Sequence, residues 1–206
     1  VIVLEKLTRK EDEQMKKAPD DITVKKYFEE TVPQEFNEMI KGSPIQDMEG
    51  TEFSVQFKVS GEGGGTYAIV VLNGKEVKVV PDGIPNPLIE IEISENDWRD
   101  SVTGKVEGIM EMFMSPQRTS RKYFNILKET SGTLNLSLTK DDGSLFVSKM
   151  RFSGKDSPTT TIKMKVSDYA AMGQGKLAGP TAFMSGKMKI EGDMGFAMKL
   201  GRFMGG

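Results

Sequence analysis

The chain contains no cysteine and no histidine among its 206 residues. Without thiols it can form neither a disulfide nor a cysteine nucleophile, and without imidazole it can build neither a Ser-His-Asp triad nor an ordinary structural zinc site. Any acid-base chemistry would have to rest on carboxylates, lysines or tyrosines. No ligand cluster suggests a metal, and no motif points to a cofactor. A strong charge of one sign is also lacking: a formal net charge of −2 and a pI near 5.5 give no global attraction for nucleic acid, which is not expected as a partner. No apolar run reaches the roughly 18 residues that a membrane-spanning helix needs. The opening Val1-Ile-Val-Leu4 is too short for a signal-peptide core and runs into Glu5 and Lys6 rather than a cleavage site. The lack of cysteine is compatible with a reducing compartment. Together these absences predict a soluble cytoplasmic protein, and a binding module rather than an enzyme.

Alternating strands and turn signals are abundant. Asp20-Asp21 is a candidate cap for a helix carrying Val24, Tyr27, Phe28 and Val32, which Pro33 should bend or restart before Phe36, Met39 and Ile40. Phe53, Val55, Phe57 and Val59 then alternate with polar residues, Gly61–Gly65 turns the chain, and Tyr67–Leu72 returns it as a hairpin. Asn73-Gly74 joins that strand to Val77 and Val79. After a loop from Pro81 to Pro87, Ile89, Ile91 and Ile93 form another strand. Leu134, Leu136 and Leu138, then Leu145 and Val147, repeat the pattern across Asp141-Asp-Gly143. The expected fold class is α+β: an antiparallel-rich sheet covered by helices on one face.

The end of the chain is the most telling stretch. Met188 and Ile190 alternate with Lys187, Lys189 and Glu191, Gly192-Asp193 turns, and Met194, Met198, Leu200 and Phe203 follow at helical spacing. Thr161-Ile-Lys-Met164 leads to Asp168-Tyr169, and Ala182-Phe183 runs through Gly186-Lys-Met-Lys-Ile-Glu-Gly-Asp-Met-Gly-Phe-Ala-Met-Lys-Leu200. This segment resembles the sterol carrier protein type 2 family, position by position and without a gap. The resemblance implies a sterol-carrier-like fold with an apolar tunnel between sheet and C-terminal helices. Of the 14 methionines, seven lie at or beyond Met164, and such flexible, polarizable side chains suit ligands of varied shape. The expected lining is therefore Trp98, Met112, Phe113, Tyr169, Met172, Phe183, Met184, Met188, Ile190, Met194, Phe196, Met198 and Phe203. The expected partner is a hydrophobic small molecule or lipid, with transient membrane contact, and the last helix, 194–204, would shift to admit it. The final Phe203-Met-Gly-Gly206 is not a Ser-Lys-Leu address, which points to a prokaryotic cytoplasm.

The chain also echoes itself. Ile91–Gly108 lies over Ile162–Gly179 without a gap, so that Asp97 meets Asp168, Trp98 meets Tyr169 and Gly104-Lys105 meets Gly175-Lys176. Upstream, Lys26-Tyr-Phe28 has its counterpart in Lys122-Tyr-Phe124. Repetition of this kind predicts an internal duplication: an arm over 1–21, an incomplete first unit over 22–117 and a second over 118–206, packed as one fused globule. Asp97 and Asp168 read as helix caps rather than as a catalytic pair. The Gly-Lys pairs read as helix C-caps, and the Gly61–Gly65 cluster as a hairpin turn rather than a phosphate loop. Two rival functions remain: an accessory interaction or oligomerisation module of a larger system, and a small enzyme acting on a lipid thioester.

Overall fold

The computed structural model describes residues 17–42, 45–107, 109 and 120–204, the last three by their backbone. The first helical run begins at Thr23, whose hydroxyl accepts the Lys26 N–H at 3.2 Å, so the cap falls on Thr23 and not on Asp20-Asp21. It comprises α1 (Val24–Lys26), a π-helical turn (Tyr27–Thr31) and α2 (Val32–Gly42). Pro33 has no N–H to donate, and the wide π turn just before it lets the helix continue past that gap.

Strands β1 (Glu52–Ser60), β2 (Gly65–Leu72), β3 (Glu76–Pro81) and β4 (Ile89–Ser94) follow, closed by helix α3 (Glu95–Val102). Helix α4 (Arg121–Lys128) opens the second half, with β5 (Gly132–Thr139), β6 (Leu145–Phe152), β7 (Thr159–Lys165) and helix α5 (Val166–Gly173). Helix α6 (Gly179–Met184), strand β8 (Met188–Gly192) and helix α7 (Met194–Met204) end the chain. All eight strands join one sheet in the order β3-β2-β1-β4-β6-β5-β7-β8. Among the described residues only two strand contacts are parallel, β1 with β4 and β5 with β7, and they occupy corresponding places in the two halves. The halves meet where β4 pairs antiparallel with β6, from Ile89 opposite Phe152 to Ile93 opposite Ser148.

Period-two alternation gives the sheet a dry face and a wet one. Val55, Phe57, Ile91, Met150, Leu136 and Ile162 share one buried cluster with Val24, Phe28, Trp98, Leu127, Tyr169, Phe196 and Leu200 from the helical layer. The opposite face of the seam carries an ion-pair ladder: Lys58 and Arg151 meet Glu90, while Arg151 and Lys149 meet Glu92. Part of that face is covered by the loop before β4, where Gln56 Oε1 accepts the Ile84 N–H at 2.8 Å and Ser54 Oγ the Leu88 N–H at 3.0 Å.

Two readings of the sequence need correcting. Leu145 and Val147 face outward, because Phe146 is the β6 residue opposite Leu138 and fixes which residues turn inward. Asp97 and Asp168 are not caps but lie in the first turns of α3 and α5. The cap of α3 is Ser94, held in an extended conformation, whose hydroxyl accepts the Asp97 N–H at 3.1 Å. The Gly61–Gly65 cluster forms the β1–β2 turn, and its Gly63 N–H binds the Glu95 carboxylate at 3.0 Å. Gly175, at φ +70°, closes α5: its N–H reaches Met172 O and that of Lys176 reaches Ala171 O, the paired bonds of a Schellman motif.

Candidate functional site: the layer between sheet and helices

Equivalent positions on α3 and α5 send Trp98 and Tyr169 inward, each one residue after its aspartate. The aspartates tie these helices down by different routes. Asp97 accepts the Val147 N–H at 3.3 Å and pairs with Lys140 at 3.4 Å, while Lys140 also meets Asp100 at 2.6 Å. Asp168 pairs with Lys187, between α6 and β8, at 2.8 Å. Burial pushes the Lys140 ammonium down, but the hydrogen bond and charge of Asp100, joined by Asp97, outweigh it and leave the group above its ordinary pKa.

In the first half the interior is aromatic. Trp98 meets Tyr27 edge to face, with ring centroids 5.5 Å apart, and Phe28 stacks on Tyr67 at 4.9 Å while touching Phe57 at 5.1 Å. In the second half it is aliphatic and sulfur-rich: Leu134, Leu136 and Leu138 lie with Met150, Met164 and Met188, and Phe196 of α7 meets Phe152 edge-on at 6.2 Å. The chain turns into α7 at Gly192, where φ is +94° and a Cβ would come within 2.4 Å of Thr159 O. Asp193 then caps that helix through the Phe196 N–H at 2.7 Å.

The expected lining residues divide into groups. Trp98, Tyr169, Met188 and Phe196 are buried in the layer, and Met172 and Ile190 pack against it. Phe183, Met184, Met194 and Met198 point outward, with Met184 86% and Met198 67% exposed. Met112 and Phe113 lie outside the described residues, as does the side chain of Phe203. Tyr27 and Phe28 enter the layer without having been singled out, although the Lys26-Tyr-Phe28 echo marks their position. Ser148 was also missed. Its hydroxyl and the Trp98 indole Nε1 are buried without a hydrogen-bond partner among the described residues. Such an atom costs about 1–3 kcal/mol unless something binds it. Among the described residues no group of three or more acidic side chains is placed to hold a metal, and no helix is long and apolar enough to cross a membrane.

The curated relatives each match less than half of this chain. Hydroxysteroid dehydrogenase-like protein 2 of Xenopus laevis is 38% identical over 86 residues, which is 40% of this chain and 19% of that protein. Peroxisomal multifunctional enzyme A of Dictyostelium discoideum is 39% identical over 71 residues, 34% of this chain and 15% of that protein. The chain thus spans less than a quarter of the length of either relative. Among solved structures, sterol carrier protein domain 2 of Helicoverpa armigera is 18% identical with a TM-score of 0.26, covering 93% of this chain and 92% of that one. The palmitated SCP2L2 of Aedes aegypti is 10% identical with a TM-score of 0.25, covering 89% and 95%. The sequence profile of the SCP-2 sterol transfer family matches from position 116 to position 205, from the lead-in to α4 through the end of α7.

Proposed function

We propose that the chain binds a hydrophobic ligand, a fatty acid, acyl-CoA or sterol-like lipid, between the sheet and helices of its second half and hands it on without bond-making. The observation that carries this reading is the coincidence of the family match with the methionine-rich interior: Tyr169, Met188 and Phe196 come from three separate elements of the matched segment and meet one apolar layer. Burying an acyl chain of about a dozen methylenes at ~0.8 kcal/mol each supplies on the order of 10 kcal/mol before association costs. No catalytic group is required for that.

Helix α7 is the moving part in this reading. Phe196, Ala197 and Leu200 are buried while Met194 and Met198 are exposed, so the helix is apolar on its outer side as well. Phe183 and Met184 give α6 the same character. Between positions 176 and 202 Lys176, Lys187, Lys189, Lys199 and Arg202 outnumber Glu191 and Asp193, which suits brief contact with an anionic lipid surface during transfer. Titration with a fluorescent fatty acid, followed by transfer into acceptor vesicles, tests this. Saturable uptake and faster delivery to anionic than to zwitterionic vesicles are expected; no uptake contradicts the reading.

A second reading draws support from the size of the relatives, of which this chain matches only a small part. In it, the chain is an accessory module of a larger lipid-metabolising system and presents its ligand to a separate catalytic partner. We further propose that the halves, near 22–117 and 118–206, descend from one duplicated unit. The matched placement of their parallel strands and closing helices supports this.

A further inference from the structure

The polar atoms left over inside the helix–sheet layer define an anchor. On the inward face of the central strands β4, β5 and β6 stand Ile89, Ile91 and Ile93, Leu134, Leu136 and Leu138, and Phe146, Met150 and Phe152. Apart from Gly132 at the start of β5, Ser148 is the one residue on that face that is not a large apolar side chain. Its cross-strand neighbours are Ile93 and Leu136, and it is 1% exposed. Ser148 thus sets a small side chain and a hydroxyl among large apolar neighbours. Trp98 is 0% exposed and packs its ring against Tyr27. The segments that carry them touch: Asp97, just before Trp98, accepts the N–H of Val147, just before Ser148, at 3.3 Å. Neither Trp98 Nε1 nor Ser148 Oγ has a hydrogen-bond partner among the described residues.

An indole N–H can only donate, so whatever satisfies it must bring a lone pair. The hydroxyl can donate to the same atom or accept from it. Both groups are neutral, and an ionised carboxylate buried against neutral donors alone would be left uncompensated. We infer that Trp98 Nε1 and Ser148 Oγ form a two-point anchor for the uncharged oxygen of a lipid, a hydroxyl or carbonyl group, with the hydrocarbon body reaching into the methionine-rich second half. This rests on the lipid-binding reading above and narrows it from any hydrophobic ligand to neutral oxygenated lipids. It also gives the first half a part in binding: its helix α3 supplies one of the two contacts.

Trp98 is the only tryptophan in the chain, so a ¹H–¹⁵N spectrum of the intact protein holds a single indole N–H resonance. The protein is loaded with 1-hexadecanol, with hexadecane or with palmitate, and occupancy is read by native mass spectrometry. The inference predicts a downfield shift of the indole resonance with the alcohol and not with the alkane. It also predicts that the alcohol binds about tenfold more tightly than the alkane, in line with the worth of one or two neutral hydrogen bonds. Trp98→Phe and Ser148→Ala are each expected to remove most of that preference for the alcohol over the alkane. Equal affinity for alcohol and alkane overturns the inference while leaving lipid binding intact, as does an indole resonance that does not move when the alcohol binds. A preference for palmitate over the alcohol that persists in both variants also overturns it. Failure of all three ligands to bind removes the lipid-binding reading itself.

Discussion

The two halves of the sheet follow one plan and fill it differently. Each has a helix leading into a hairpin, then a strand parallel to the hairpin's first strand, then a helix that drops an aromatic ring into the layer below. In the first half that ring, Trp98, joins Tyr27, Phe28, Phe57 and Tyr67, side chains with few rotamers and mutual ring contacts. In the second, Tyr169 lies among Met164, Met172 and Met188, whose three rotatable bonds allow repacking. The anchoring differs too. Helix α3 is held by Asp97 and Asp100 on Lys140, by Arg99 on the carbonyl of Ile22, and by the Ala18 N–H on Val102 O. Helix α5 is held by the Asp168–Lys187 pair. A shared topology therefore supports a rigid wall on one side and an adaptable one on the other, and the family match falls on the adaptable side.

The contrast is broken most severely by removing α7. A chain ending at Asp193 is expected to lose hydrophobic-ligand uptake altogether, while the emission of Trp98 stays that of a buried indole because the first half remains folded. Titration with a fluorescent fatty acid and the emission spectrum together check this; retained uptake would refute the closing role of α7. A milder break is Phe196→Ala, which opens a cavity against Phe152 and should lower unfolding free energy by about 3–5 kcal/mol in a denaturant titration.

The coupling between halves is probed by Lys140→Met. It leaves Asp97 and Asp100 facing each other without their cation and should cost about 1–2 kcal/mol, between the exposed and buried limits for ion pairs. Lys140 is raised in the folded state, so its contribution is fully present below the unfolded lysine pKa of about 10.4 and fades as pH rises through the higher folded value. The difference in stability between wild type and variant should therefore hold steady from neutral pH to about 9 and close only above about 10.5. The smallest effect on stability is expected from Met198→Gln, within about 0.5 kcal/mol because the side chain is 67% exposed. Its effect should appear instead as slower ligand delivery to anionic vesicles in a transfer assay.

Local chemistry was legible wherever a residue type answers to one geometry. Asn73-Gly74 turns with both residues at positive φ, Gly104 and Gly175 follow their helices in the left-handed region, and the run from Ala182 to Leu200 identified the second half by its residues alone. The order of strands was not legible, because alternation tells which residues share a face but not that β1 lies beside β4 or β4 beside β6. Parity across a turn was lost for the same reason: Leu145 and Val147 alternate as well as Phe146 and Met150 do, and only pairing with Leu138 decides between them. Met184 and Met198 read as interior residues from composition, yet a helix that is apolar on all sides gives no sign of which side the sheet takes. Ser148 was invisible because a serine in an alternating strand reads as a residue on the wet face.

The most direct test of the account is native mass spectrometry of the purified protein, followed by denaturation and solvent extraction of whatever is released. The account predicts a lipid-sized mass at near-stoichiometric occupancy, lost from the chain that ends at Asp193. A protein that is empty as purified and takes up no added fluorescent fatty acid would contradict it.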